Sequence, residues 1–274
     1  METTWNKYHE LKNVLGEMGS ATTALSGGVD SGLLLKAASE ALPGRTAAVT
    51  VLSVLTPPGD LEAAQTLARE LEVPHLIVDF FPLDLPEVKT NSPDRCYACK
   101  TALARLIWEA AAQNGSGPVV EGSHAGDDRA FRPGRKALLE AGIRSPLAEV
   151  GLEKNEIRAL ARALGLSNRD RPGSACLATR FPYHTDLTAE KLHKIGRAEE
   201  LLSRAGLAGV RARFHGDALR LEPPVELFPN LIASPLRERL VEDLTALGFQ
   251  YITLDLAGYR SGVFDRPVVG GPHA

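Results

Sequence analysis

Apolar positions in the first half of the chain follow two alternating patterns. Short apolar runs occur at Ala21–Leu25, Thr46–Leu55, His75–Phe80 and Pro118–Gly122. Each has the length and composition of a buried strand. Between them, apolar residues recur at helical spacing over Leu33–Leu42, Leu61–Leu71 and Lys100–Ala112, and Tyr8–Met18 forms an amphipathic segment ahead of the first run. Strand and helix in alternation predict an α/β fold with a parallel sheet covered by helices on both faces. The pattern changes after Phe181-Pro182-Tyr183. Helices over Thr188–Ala205 and Pro235–Leu247, with strands over Val210–Phe214, Ala218–Glu222 and Phe249–Leu254, predict a second, smaller antiparallel α/β domain. The expected division is 1–180 and 181–274.

Composition narrows the functional classes. Lys and Arg total 31 against 34 Asp and Glu, a formal charge of −3, so no global basic field exists to hold nucleic acid or an anionic membrane. The longest mainly apolar stretch, near Ala47–Leu55, is too short to span a bilayer, and residues 1–20 lack the apolar core of a signal peptide. A cytoplasmic location is expected. Three cysteines, an odd and sparse set, argue against a disulfide framework.

The most specific string is Ser26-Gly27-Gly28-Val29-Asp30-Ser31-Gly32, set between a strand and a helix. Paired glycines let backbone N–H groups approach a ligand, Ser26 and Ser31 add hydroxyl donors, and the next helix aims its positive end at the same place. This is neither the G-x-x-x-x-G-K-[ST] loop nor the G-x-G-x-x-G loop. Ligands of parallel α/β sheets sit at the carboxyl ends of strands, where Ser26, Ser53 and the Gly122–Asp128 segment fall.

Cys96 and Cys99 are three apart at a helix start, beside Arg95 and Lys100. Cys176 follows a Pro-Gly turn and precedes Thr179 and Arg180. Three readings stay open. The pair is a redox dithiol; the cysteines are small buried hydrophobes; or the three thiolates hold a metal centre. Three thiolates satisfy three irons of a [4Fe–4S] cluster and leave the fourth open. Zinc needs one further ligand, which His124 or His184 can supply. In the smaller domain, Arg211 and Arg213 alternate with Ala212 and Phe214, so both face one side of a strand. With Arg180 they form a set suited to a phosphate group.

The SGGVDS string resembles the PP-loop of the ATP pyrophosphatase superfamily. That resemblance implies that Ser26, Gly27, Gly28 and Ser31 hold the pyrophosphate end of ATP, with Asp30 near Mg²⁺; Asp127 and Asp128 are further candidates for the metal. Six segments in order widen the resemblance: SGGVDS, DRCYACK at 94–100, Asp127-Asp128 with Arg132-Pro133-Gly134, SACLATRFPY at 174–183, Arg211 to His215, and Tyr251–Gly262. Together they resemble the LarE family over about residues 8 to 265. Members are ATP-dependent sulfur transferases that help make the nickel-pincer nucleotide.

The resemblance implies a small-molecule substrate, pyridinium-3,5-biscarboxylic acid mononucleotide. The resemblance places Arg180, Arg211 and Arg213 as the residues that hold it, with Thr179 assisting; Tyr97 either stacks on the bound nucleotide or is a packing aromatic of its helix. Cys176 matches the sulfur-delivering cysteine. Some members give up that cysteine's own sulfur and lack the CxxC pair; others carry three cysteines and a [4Fe–4S] cluster. Cys96, Cys99 and Cys176 place this chain with the cluster type. A homo-oligomer, a hexamer, is also implied. The chemistry is coherent: a carboxylate oxygen leaves poorly, adenylylation makes AMP the leaving group, and a soft sulfur nucleophile then attacks. The alternatives are a PP-loop tRNA thiolase, which the near-neutral charge disfavours, and a zinc-stapled nucleotide-binding protein without catalysis.

Overall fold

In a computed structural model, the structure describes residues 2–114, 117–129, 133–173, 175–260 and 264. The first elements are α1 (Glu2–Gly16), β1 (Ala21–Ala24), α2 (Val29–Ala41), β2 (Thr46–Leu52), α3 (Asp60–Glu70) and β3 (His75–Asp79). There follow α4 (Pro86–Lys89), α5 (Arg95–Gln113), β4 (Val119–Val120), α6 (Pro133–Glu140), α7 (Pro146–Glu149) and α8 (Lys154–Ala163). The last are α9 (Ala189–Arg204), β5 (Arg211–His215), β6 (Ala218–Glu222), α10 (Phe228–Ile232), α11 (Leu236–Ala246) and β7 (Tyr251–Leu254). No helix among the described residues is long and apolar enough to cross a membrane.

The chain divides into two compact units. The first takes residues 1–53, 59–81 and 96–174. Its sheet has the order β3-β2-β1-β4, and every pairing is parallel. Side chains of successive strand residues point to opposite faces, and each face has its own core. Val120 and Ala48 pack with residues of α1, α2, α3 and α8, whereas their neighbours Val119 and Val49 pack with Ala104, Ile107 and Ala111 of α5. The predicted helices on both faces are therefore present. The central helix α2 buries Leu33, Leu34, Leu35, Ala37 and Ala38, the all-round burial of a helix enclosed by its neighbours. Helix α8 starts at a capping box formed by Glu153 and Glu156. Glu156 also holds Lys7 of α1 at 2.7 Å.

The second unit takes residues 54–58, 82–95 and 175–274. Leu177 N–H donates to the Leu55 carbonyl, and Leu187 N–H to that of Lys89, so the early segments are hydrogen-bonded to the late ones. β5 and β6 are antiparallel, as the short His215-Gly216-Asp217 connection requires. β7 returns through α10 and α11 and pairs parallel to β6, so the small sheet is mixed. Leu192, Ile195, Ala198 and Leu202 of α9 are buried, as are Ala212, Leu219 and Leu221 of the sheet.

Candidate active site

The glycine loop leaves the carboxyl end of β1 and enters α2. Ser31 Oγ donates to the Gly28 carbonyl at 3.2 Å, and Ser26 and Ser31 hydroxyls meet at 3.1 Å. Ser26 N–H donates to Ser31 Oγ, closing the turn on itself. Gly27 has φ +82, and a Cβ there would lie 2.2 Å from the Asp60 carbonyl oxygen. Only glycine fits that position. Gly122, just past β4, is similar: a Cβ there would lie 2.8 Å from Ser31 N. Gly28 caps α2 with no side-chain hydrogen bond.

Three groups outside the loop fix it. Asn168, 2% exposed, donates from Nδ2 to the carbonyls of Gly27 (3.2 Å) and Gly28 (2.9 Å). Arg171 pairs with Asp60 at 2.6 Å, behind the carbonyl that Gly27 faces. Thr50 Oγ1 donates to the Leu25 carbonyl at 2.6 Å and lies 2.7 Å from His75 Nε2. Burial holds the His75 pKa below its ordinary value.

Asp30 lies in the first turn of α2, and its carboxylate is engaged by Lys154 Nζ at 2.5 and 2.7 Å. Asp127 is buried and turned inward: its carboxylate accepts from His124 N–H at 3.1 Å and faces His124 Nε2 at 3.6 Å. His124 Nδ1 in turn accepts from Gly126 N–H. Ser53 directly follows β2 and is half-buried. Arg132, Ser174, Gly262 and the side chain of Asp128 lie outside the described residues.

All three cysteines are half-buried thiols. Cys96 and Cys99 occupy one turn at the start of α5, on the same side of the helix. Arg95 beside them stacks its guanidinium on the Tyr183 ring at 4.2 Å. Tyr97 is exposed, and its hydroxyl donates to Glu140 at 2.6 Å.

Cys176 opens a short 3-10 turn, Leu177–Arg180, in the second unit. Its carbonyl accepts from Thr179 Oγ1 at 2.8 Å and from Arg180 Nη1 at 3.4 Å. Arg180 is 1% exposed and bidentate to Glu199, with Nε at 2.8 Å and Nη2 at 2.9 Å. Burial alone would lower its pKa, but the Glu199 pair outweighs burial and raises it. Arg213 donates to the Thr179 carbonyl at 2.6 Å and to the fully buried Glu222 at 2.8 Å. Arg211 stands 4.0 Å from Glu199 and over the Tyr259 ring. Burial, then the nearby Arg180 charge, lowers its pKa, and Glu199 and Tyr259 offset this only in part. The register pairs Arg211 with Glu222 and Arg213 with Arg220 across β5 and β6. Both arginines therefore sit on one face; Arg213 is tied through the Thr179 carbonyl to the turn that bears Cys176, and Arg211 approaches Glu199, the partner of Arg180.

Over 266 residues, 96% of its length, the chain is 38% identical to the pyridinium-3,5-bisthiocarboxylic acid mononucleotide synthase of Lactiplantibacillus plantarum, of which 95% is covered. The chain belongs to the LarE family. An uncharacterized protein of Synechocystis sp. is 38% identical over 261 residues, 95% of this chain and 97% of that one. One of Methanocaldococcus jannaschii is 27% identical over 258 residues, 93% of this chain and 98% of that one. No family model matches the chain.

The LarE fold thus presents a serine- and glycine-rich loop between β1 and α2 in one unit and an arginine-rich turn around Cys176 in the other. Among the described residues, no three His, Cys, Asp or Glu side chains gather as a metal site. The thiol donor set fits iron–sulfur chemistry in type and number, with Cys96 and Cys99 in the first unit and Cys176 in the second. Sequence reasoning missed Lys154, Asn168, Asp60 and Arg171, all brought to the loop from elsewhere. For Lys154 no local signal existed: it opens a helix capped by Glu153, and only the packing of α8 on α2 brings it to the loop.

Proposed function

We propose that this LarE chain uses ATP to convert the carboxylates of pyridinium-3,5-biscarboxylic acid mononucleotide to thiocarboxylates, a step in making the nickel-pincer nucleotide. The observation that carries the reading is the Cys176–Arg180 turn: the cysteine matched to sulfur delivery shares its hydrogen bonds with Arg180, and Arg213 is tied to the same turn. The kinship with the named synthase supports it.

In this reading Ser26, Gly27, Gly28 and Ser31 receive the pyrophosphate end of ATP through amides and hydroxyls. Ser53 lines the same strand ends. Asp30 is the partner for Mg²⁺, which neutralises charge as pyrophosphate departs. Arg180, Arg211 and Arg213 hold the substrate phosphate with Thr179, and the exposed ring of Tyr97 stacks on the nucleotide. Arg211 suits this role: its charge is opposed by burial and by Arg180, and an added anion relieves both. Attack of a carboxylate oxygen on the α-phosphorus forms the acyl adenylate and expels pyrophosphate. Sulfur then displaces AMP. Cys96, Cys99 and Cys176 are the proposed ligands of a [4Fe–4S] cluster, which when bound supplies a soft sulfur nucleophile. The working protein is a cytoplasmic homo-oligomer, a hexamer, acting on a small molecule and not on nucleic acid or membrane.

Two measurements test this. Pyrophosphate release should require the pyridinium dicarboxylate nucleotide and ignore tRNA; tRNA-stimulated release would favour the thiolase. Anaerobic protein should contain iron and acid-labile sulfide that Cys96→Ala, Cys99→Ala and Cys176→Ala each diminish. One zinc and no iron would remove the cluster from the account.

A further inference from the structure

The glycine loop carries amides, two hydroxyls and a carboxylate, but no cation. A pyrophosphate group brings several negative charges, and phosphate loops of the G-x-x-x-x-G-K type answer them with a lysine inside the motif. Here a lysine arrives from a different element. Lys154 is the first residue of α8, and its ammonium lies 2.5 and 2.7 Å from the two carboxylate oxygens of Asp30, in the first turn of α2. The side chains keep 34% and 26% exposure, so solvent reaches both.

Such a partly exposed pair adds little to stability. α2 and α8 are already held by apolar packing, which includes Leu33, Leu34, Ile157 and Leu160. The backbone of Lys154 is fixed by the Glu153–Glu156 capping box and by the Lys7–Glu156 pair. Only its four-carbon stem has room to turn. Asp30 meanwhile opposes an incoming phosphate at a helix end that otherwise attracts one.

We propose that Lys154 is the phosphate-binding cation of the glycine loop, held by Asp30 until a pyrophosphate group takes its place. This rests on the reading that the loop binds ATP. The ammonium exchanges one oxyanion partner for another and needs no new element.

The test is binding of inorganic pyrophosphate by the full chain in EDTA, measured by calorimetry. Magnesium–ATP binding by the wild type is measured in parallel. Lys154→Gln should weaken pyrophosphate binding about tenfold, the scale of one lost charge-assisted hydrogen bond. Lys154→Arg should retain most of it. Asp30→Asn should bind more tightly than wild type, because the competing carboxylate is gone. The double variant Asp30→Asn/Lys154→Gln decides between roles. A lysine that only neutralises Asp30 becomes dispensable there, so binding equal to Asp30→Asn overturns the proposal; a fall well below Asp30→Asn supports it. Circular dichroism and melting confirm that each variant is folded. If the wild type binds neither pyrophosphate nor magnesium–ATP, the reading of the loop falls and the proposal with it. If the wild type binds both and Lys154→Gln binds pyrophosphate equally well, only the lysine assignment falls.

Discussion

Asn168 and Gly28 are 140 residues apart in the chain, yet the Asn168 amide nitrogen lies 2.9 Å from the Gly28 carbonyl oxygen. The same nitrogen reaches the Gly27 carbonyl at 3.2 Å. In a planar trans peptide the carbonyl and the next N–H point opposite ways. Holding both carbonyls on one side therefore aims the N–H groups of Gly28 and Val29 to the other. Gly32 makes room for this: a Cβ there would lie 2.5 Å from Asn168 Nδ2.

Replacing Asn168 should disorder the loop before it unfolds the protein. Asn168→Ala strips the donor from two carbonyls and should cost about 1–3 kcal/mol. Asn168→Asp sets a carboxylate against the same carbonyls and should cost more. Urea unfolding gives the stability, and ATP affinity should drop in both variants. Unchanged affinity in Asn168→Asp would show that the amide does not set the loop.

Gly27→Ala meets two obstacles, a positive φ and the Asp60 carbonyl at 2.2 Å. Gly44→Ala meets only the first, since φ is +70 and nothing lies within 4 Å. Strain alone should cost about 1 kcal/mol at Gly44, and Gly27→Ala should exceed that clearly and abolish ATP binding. Parallel melting curves check the order.

The Arg180–Glu199 pair is almost fully buried. Glu199→Ala leaves a guanidinium without its bidentate partner and should destabilise the protein by about 3–5 kcal/mol. It also removes the acceptor of Ala212 N–H at the start of β5. Arg180→Lys keeps the charge but loses the fork and should weaken binding of the substrate nucleotide. Calorimetric melting and nucleotide titration separate the two effects.

His75 supplies a pH signature. Its folded pKa lies below the ordinary value because of burial. As pH falls, the unfolded chain takes up the proton first. The contribution is therefore intact above the ordinary histidine value of about 6.5 and is lost as pH falls through it toward the lower folded value. Denaturant midpoints should drop between about pH 7.5 and 5.5. His75→Gln, which keeps a donor beside Thr50, should flatten that part of the slope.

The strands of the first sheet were readable because apolar β-branched runs end at turn residues. The glycine loop was readable because its chemistry is local. Helix α8 was not read although its apolar spacing is regular, since its cap is Glu153 and not the usual Ser, Thr, Asp or Asn. The parallel pairing of β7 depends on the crossover through α10 and α11, which no strand pattern encodes. Asn168 looks like an ordinary turn residue, and Lys154 like a solvated lysine. Only the tertiary fold brings them to the loop. The same holds for Val54–Pro58 and Pro82–Arg95, which pack in the second unit although the chain passes through the first on either side of each.

The most direct measurement is mass spectrometry of the nucleotide after anaerobic incubation of the iron–sulfur-replete protein with ATP, Mg²⁺ and pyridinium-3,5-biscarboxylic acid mononucleotide. The account predicts a product in which sulfur has replaced a carboxylate oxygen, formed together with AMP and pyrophosphate. ATP cleavage with the nucleotide recovered unchanged, or sulfur incorporation without ATP, would contradict it.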